Sequence, residues 1–220
     1  MTSCCRSRAC EQMFTKRVAR KDLARYRKRG LDRLERRMVD SAAAGGLAGA
    51  RVLEIGGGIG KLQVELLGAG AATGEVAELV DAYEPYSKEL ARERGLEGRT
   101  SFVVVDVLGQ SDAVEPGDVV VLNRVVCCSP EGIDLAAAAA RLARRTLVLS
   151  YPRDIAWVRF GFWAINLVQR LLGRSFRVFV HSPSALHAAA EAEGLACAAT
   201  ERGSLWEFTT LLRGGERGAL

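Results

Sequence analysis

Val52-Leu53-Glu54-Ile55-Gly56-Gly57-Gly58-Ile59-Gly60 is a short apolar run that breaks into four glycines within five positions. Its apolar half predicts a buried strand, Arg51–Ile55, and its glycine half a sharp turn that leads into a helix. Glycine tolerates positive φ and carries no Cβ, so such a turn lets a ligand approach the backbone closely. Alone, the stretch promises a nucleotide-sized ligand beside a helix start.

Working outward, apolar runs suited to parallel strands recur at Leu79–Tyr83, Ser101–Val105, Val119–Leu122 and Thr146–Ser150, with helix-like segments between them. Ala136–Ala140 belongs to one of these helices. Five strands with helical crossovers make a doubly wound α/β sheet. The tail offers a strand-like Phe176–Val180, a helix Pro183–Glu193, and strands Leu195–Thr200 and Leu205–Leu211 joined by a four-residue turn, an antiparallel terminal hairpin. The expected fold is thus a Rossmann-like, seven-stranded α/β sheet with that hairpin at its end. Ahead of it, Phe14, Val18, Leu23, Tyr26, Leu34 and Met38 recur every three or four residues, which predicts amphipathic helices broken near Gly30. An Ala/Gly tract, Ser41 to Ala50, reads as a linker, so the division expected is a basic helical arm or lid, 1–45, and the α/β domain, 46–220.

An acid closes each of the next two expected strands. Glu84, followed by Pro85, stands where a carboxylate can accept from two ribose hydroxyls, with Asp81 as a competitor; Asp106, followed by Val107, closes the third strand. The Glu-x-Gly-x-Gly-x-Gly form of Glu54 to Gly60 resembles motif I of the class I S-adenosylmethionine-dependent methyltransferases. In nicotinamide dehydrogenases the third glycine falls three places after the second, which here is Lys61. The resemblance implies an enzyme that takes S-adenosylmethionine and leaves S-adenosylhomocysteine, with Glu54, Gly56, Gly57, Gly58, Gly60, Glu84, Pro85, Asp106, Val107 and Asn123 around the cofactor.

The fourth strand runs into Asn123-Arg124-Val125-Val126-Cys127-Cys128-Ser129-Pro130, at the end of the sheet that faces the glycine turn. With Leu147 to Arg153 and Phe176 to Pro183, this stretch is similar to the magnesium-protoporphyrin O-methyltransferase-like branch of that family, over about Leu31 to Leu211. What the branch implies is a small-molecule acceptor, aromatic or carrying a carboxylate. Arg124, Cys128, Tyr151, Trp157, Phe162, His181 and Tyr26 are the candidate substrate contacts, and His181, Tyr151 and Arg124 the candidate catalytic groups. Transfer from a sulfonium is an in-line displacement, so positioning is the main task, and only an amine or phenol acceptor calls for a base.

Ile155 to Leu172 is the longest apolar stretch, and Arg159, Asn166, Gln169 and Arg170 interrupt it too often for a membrane span. Arg159, Asn166, Arg170 and Arg174 fall on one helical stripe and apolar residues take the rest. Core packing, a homodimer interface, a lid and contact with a membrane surface all fit that pattern.

The chain of 220 residues, 49% hydrophobic, can bury one sizeable core. Its net charge of +5 belongs to the arm, where Lys16 to Arg37 holds eleven Lys/Arg against three acids. That charge admits a rival reading as an RNA methyltransferase, although nucleic acid is disfavoured because Phe14 and Tyr26 sit at packing positions and no Asn/Asp-Pro-Pro-aromatic signature follows the fourth strand. Six cysteines with no apolar leader segment in the first thirty residues point to a reducing cytoplasm. Cys4, Cys5, Cys10, Cys127 and Cys128 show no zinc spacing, so no metal is expected, and a cysteine-dependent metal or metalloid protein is the remaining rival.

Overall fold

The apolar run at 51–55 is a strand buried on both faces (β1, Arg51–Ile55): Val52 packs into one hydrophobic cluster, and Leu53 and Ile55 into another on the opposite side. This is the period-two alternation of a sheet covered by helices on both faces. A computed structural model describes residues 10–214. Cys4 and Cys5 lie outside the described residues.

Six further strands follow: β2 (Thr73–Glu78), β3 (Thr100–Val104), β4 (Gly117–Leu122), β5 (Ala143–Pro152), β6 (Leu195–Arg202) and β7 (Trp206–Arg213). They form one sheet in the order β3-β2-β1-β4-β5-β7-β6. β1 to β5 are mutually parallel, and β7 inserts antiparallel between β5 and β6. The order reverses between β1 and β4, which opens a crevice beyond their C-terminal ends.

Helices α1 (Lys16–Arg29), α2 (Arg33–Ala43), α3 (Lys61–Gly68) and α4 (Glu84–Glu93) cover the face that carries Val52, Val119, Val121 and Phe208. Helices α5 (Gly132–Leu142) and α7 (Pro183–Ala192) cover the other face, against Leu53, Val120, Leu147 and Tyr151. Between them in the chain comes α6 (Ala156–Leu171), which lies beside neither main cluster but on a small one formed by Cys127, Val158 and Phe162.

Asp32 heads α2 with a capping box: its side chain accepts from the Glu35 amide at 2.9 Å, and the Glu35 side chain accepts from the Asp32 amide at 3.0 Å. Leu23, Met38 and Ala42 of these first helices are buried in the same cluster as the sheet residues. Much of the arm's positive charge is met locally. Arg27 pairs with Glu89 and Glu93 of α4, Arg37 with Glu201, and Arg36 donates to the Leu31 carbonyl.

Three expected elements move. The second strand is Thr73–Glu78, and Leu79–Tyr83 forms the loop and helical turn that follow it. The strand is polar at its start because Gly74 leaves room for Gln63, whose Cγ would stand 2.5 Å from a Cβ there, and Glu75 pairs with Arg51 at 3.2 Å. Residues 176–180 are not a strand, although the Phe179 amide donates to the Cys127 carbonyl at 2.8 Å. The supposed linker begins inside α2, which runs to Ala43.

Candidate active site

Gly56 and Gly58, with φ of 63° and 58°, take the chain from β1 toward α3 through backbone conformations that disfavour side chains. A Cβ on Gly56 would stand 2.7 Å from Val125 Cγ1, and one on Gly58 would stand 3.1 Å from the Tyr83 ring. Behind the turn, Glu54 is buried and accepts from the Gln63 amide at 2.8 Å, so its carboxylate satisfies a free N–H in the first turn of α3. Gly60 itself occupies the cap position without a side chain to do this. Burial pushes the Glu54 carboxyl up to about 8 against the opposing pull of its amide partners and Lys61.

The next acid along the sheet is Glu78, the last residue of β2. It accepts from the Gly58 amide at 2.9 Å and from the Leu79 amide at 2.8 Å, which ties the end of β2 to the glycine turn. Burial raises its carboxyl above the ordinary range. Asp106 follows β3, is 7% exposed, and accepts from the Leu108 amide at 3.2 Å. Glu54, Glu78 and Asp106, with Gly56 to Gly58, line a single cavity of about 320 Å³ at the crevice.

The rest of the cavity is built by the end of β4 and by the arm. Asn123, Arg124, Cys128 and Ser129 line it from β4; Cys10, Phe14, Asp22, Arg25 and Glu35 line it from the N-terminal side, with Lys61 at the start of α3. Glu35 organises this part. It is 2% exposed, pairs with Lys61, accepts from Asn123 Nδ2 at 3.0 Å and lies 3.7 Å from Arg124 Nη1. Arg124 is the sole non-glycine residue with positive φ among those described. Its amide donates to Ser150 Oγ at 2.8 Å, its guanidinium meets Asp32 at 2.5 Å, and it lies over the Trp206 ring at 5.3 Å. Ser150 Oγ in turn donates to Asn123 Oδ1 at 2.9 Å.

No protein-family model and no curated protein sequence matches the chain. Solved structures do. The magnesium protoporphyrin IX methyltransferase of Synechocystis PCC 6803 with bound SAH is similar at a TM-score of 0.65 and 19% identity, over 82% of this chain and 83% of that one. The N-methyltransferase NodS of Bradyrhizobium japonicum WM9, in complex with S-adenosyl-L-homocysteine, gives 0.62 at 14% identity over 91% and 99%. An O-methyltransferase family 2 protein of Planctomyces limnophilus DSM 3776, in complex with apigenin, gives 0.67 at 16% identity over 89% of this chain and 61% of that one. The chain has the class I methyltransferase fold. At these identities the likeness establishes the fold alone.

Within this methyltransferase fold, Glu54, Gly56, Gly57, Gly58, Asp106, Val107, Asn123, Arg124 and Cys128 are brought together around the cavity. The other expected site residues are placed elsewhere. Glu84 heads α4 and accepts from Lys88 at 2.7 Å, with Pro85 beside it in the first turn; neither lines the cavity, because the strand ends at Glu78, five residues before the expected end at Tyr83. Tyr151 is fully buried beneath α5 and α7 and does not line the cavity. Its hydroxyl lies 2.8 Å from His187 Nε2 and 2.7 Å from Thr209 Oγ1, and burial pushes it up to about 12. Strand alternation turns Ser150 instead toward Asn123 and the Arg124 amide.

His181 Nε2 stands 3.0 Å from both the Val126 and Ser129 carbonyls, so that nitrogen carries a proton it donates to them, and the ring braces the 126–129 turn from behind. Tyr26 points away, with its hydroxyl bonded to Glu65 and Arg94. Phe162 is buried against Cys127 and Trp206, and Trp157 is 56% exposed. The Cys127 and Cys128 thiols lie 3.8 Å apart; their mutual contact, and then burial, raise the Cys128 thiol and keep it protonated. Among the described residues no three His, Cys, Asp or Glu are placed to hold a metal ion.

Of the arm residues that folding over the site would bring to the substrate, Phe14 and Arg25 line the cavity and Tyr26 does not, while Glu78, Glu35, Asp22 and Lys61 escaped sequence reasoning. The Asp32-x-x-Glu35 capping box was legible as a helix start, but nothing local announces that its glutamate also reaches β4.

Proposed function

We propose that the protein is an S-adenosylmethionine-dependent methyltransferase acting on a small-molecule acceptor. The observation that carries this reading is that Gly56 to Gly58, Glu78 and Asp106 stand together at the ends of three adjacent strands in this fold. Glu78 takes the ribose role that spacing alone gives to Glu84: its carboxylate is fixed by two backbone amides and faces the cavity, as acceptance from vicinal hydroxyls requires. Asp106 is the acceptor for the adenine amino group. The cavity fits such a ligand in volume, and its glycine wall runs through space that a Cβ would fill.

When bound, S-adenosylmethionine supplies an electrophilic methyl group. The chain's own residues then hold the acceptor in line with it, which accounts for much of the rate advantage such a site offers. Asn123, Arg124, Cys128 and Ser129 form one wall of the acceptor space, and Phe14, Arg25 and Lys61 the other. Arg25, Lys61 and Arg124 are each paired with an acid, Asp22, Glu35 and Asp32 in turn, and a planar acceptor against Phe14 that carries a carboxylate, the class implied by the magnesium-protoporphyrin branch, would compete with those acids for them. Neither His181 nor Tyr151 reaches this space, and a carboxylate needs no base because it is ionised at neutral pH.

Calorimetric titration with S-adenosylhomocysteine, set against NADH, tests the reading. Saturable one-site heat with the first and none with the second is expected; the reverse pattern would overturn it.

A further inference from the structure

Helix α6 presents the wrong side to water. Trp157, Phe160, Trp163, Ile165, Leu167, Val168, Leu171 and Leu172 are all exposed, from 40% at Leu167 to 77% at Leu171. Only Ile133 and Val104 are comparably exposed large apolar residues elsewhere in the described chain. A contiguous apolar face of this kind marks a contact surface, because soluble surfaces scatter such residues singly.

The orientation is fixed rather than accidental. Val158, Phe162 and Gln169 are buried on the inner side. Asn166 secures the helix by donating to the Val178 carbonyl at 2.7 Å and accepting from the Val178 amide at 2.8 Å. The polar stripe read from sequence is therefore split: Asn166 turns inward, while Arg159 and Arg170 flank the outer apolar face. The helix is about 24 Å long at 1.5 Å per residue, and no helix of the described residues is long and apolar enough to cross a membrane.

We propose that α6 seats the protein on the surface of an anionic lipid bilayer, with its apolar face at the boundary of headgroups and acyl chains. Two tryptophans, a phenylalanine and leucines beside arginines form the composition that favours this depth. Charge decides between a bilayer and a second copy of the chain. From Ile155 to Ala190 there is no Asp or Glu, while Arg159, Arg170, Arg174 and Arg177 are all present. The nearest acid before this segment, Asp154, is occupied by Arg159 through two hydrogen bonds. Two copies packed through α6 would bring Arg170, Arg174 and Arg177 together with no carboxylate from this segment to meet them, whereas anionic headgroups supply the complement. The inner side of the helix backs the turn that carries Cys128, so the seat lies next to the cavity wall.

Co-sedimentation of the full chain with vesicles of phosphatidylcholine plus phosphatidylserine, and with phosphatidylcholine alone, tests the proposal. Binding to the anionic vesicles with a blue shift of tryptophan emission is expected. Exchange of Arg170 and Arg174 for Gln should weaken it on the order of thirtyfold. The double variant Phe160→Ser, Leu171→Ser removes two exposed side chains, so its thermal unfolding should match the wild type while sedimentation is lost. No binding to either vesicle overturns the proposal. Equal binding to both overturns its charge recognition. A dimer in light scattering that the same double variant dissolves, without vesicle binding, assigns the face to a second copy instead.

Discussion

Glu35 of the second N-terminal helix accepts a hydrogen bond from Asn123 Nδ2 at 3.0 Å, and this contact joins the arm to the end of β4 at the cavity. A carboxylate buried to this degree is held by the partners around it, here Lys61, Asn123 and the Asp32 amide. Removing it takes the ion-pair partner from Lys61 and the acceptor from Asn123 Nδ2, while Arg124 keeps Asp32. Glu35→Ala is expected to lose about 2 kcal/mol, a fall of roughly 4–8 °C in the midpoint of thermal unfolding. Scanning calorimetry checks this, and an unchanged midpoint would show that the network contributes nothing.

Glu54 predicts a pH dependence of stability. Its folded-state pKa, raised from 4.5 to about 8 chiefly by burial, means that the folded protein keeps a proton the unfolded chain releases in that window. Stability from this group is therefore fully present below 4.5 and is lost as pH rises toward 8, by up to about 1.4 kcal/mol per pH unit. Gln is the isostere of the protonated side chain and does not titrate. Urea unfolding of wild type and Glu54→Gln across pH 5 to 8 should show a stability difference that grows with pH in favour of the variant. Parallel curves would contradict the assignment.

Tyr151 is a support of the fold. Its hydroxyl, His187 and Thr209 share a buried network, and none of the three lines the cavity. Tyr151→Phe leaves those partners short of one group and is expected to cost about 1–3 kcal/mol of stability. Affinity for S-adenosylhomocysteine should not change. A loss of affinity at unaltered stability would return the residue to the site.

What the sequence discloses follows from how each segment is buried. β1 and β4 are covered on both faces, so their apolar runs and the glycine turn between β1 and α3 are plain to read. β2 is equally central but carries Gly74 against Gln63 and Glu75 against Arg51, contacts made across the fold. The apolar signal therefore shifts to the loop Leu79–Tyr83, and the expected strand-end acid shifts with it from Glu78 to Glu84. Asp106 is legible because β3 ends without such contacts. Tyr151 and Ser150 differ by one place in a strand, and parity alone decides which of them reaches Asn123 at the end of β4. In α6 the periodicity reveals a stripe but not which side faces water, since that choice rests on Asn166 and the backbone of Val178.

The central claim is that the cavity holds S-adenosylmethionine with Glu78 on its ribose, and isothermal titration of S-adenosylhomocysteine into wild type, Glu78→Gln and Glu84→Gln tests it most directly. One-site binding to the wild type is predicted, weakened at least roughly tenfold by Glu78→Gln, since the amide keeps only one of the two oxygens that accept from the ribose hydroxyls, and unaltered by Glu84→Gln. No binding to the wild type, or weakening by Glu84→Gln with Glu78→Gln unaffected, would contradict it.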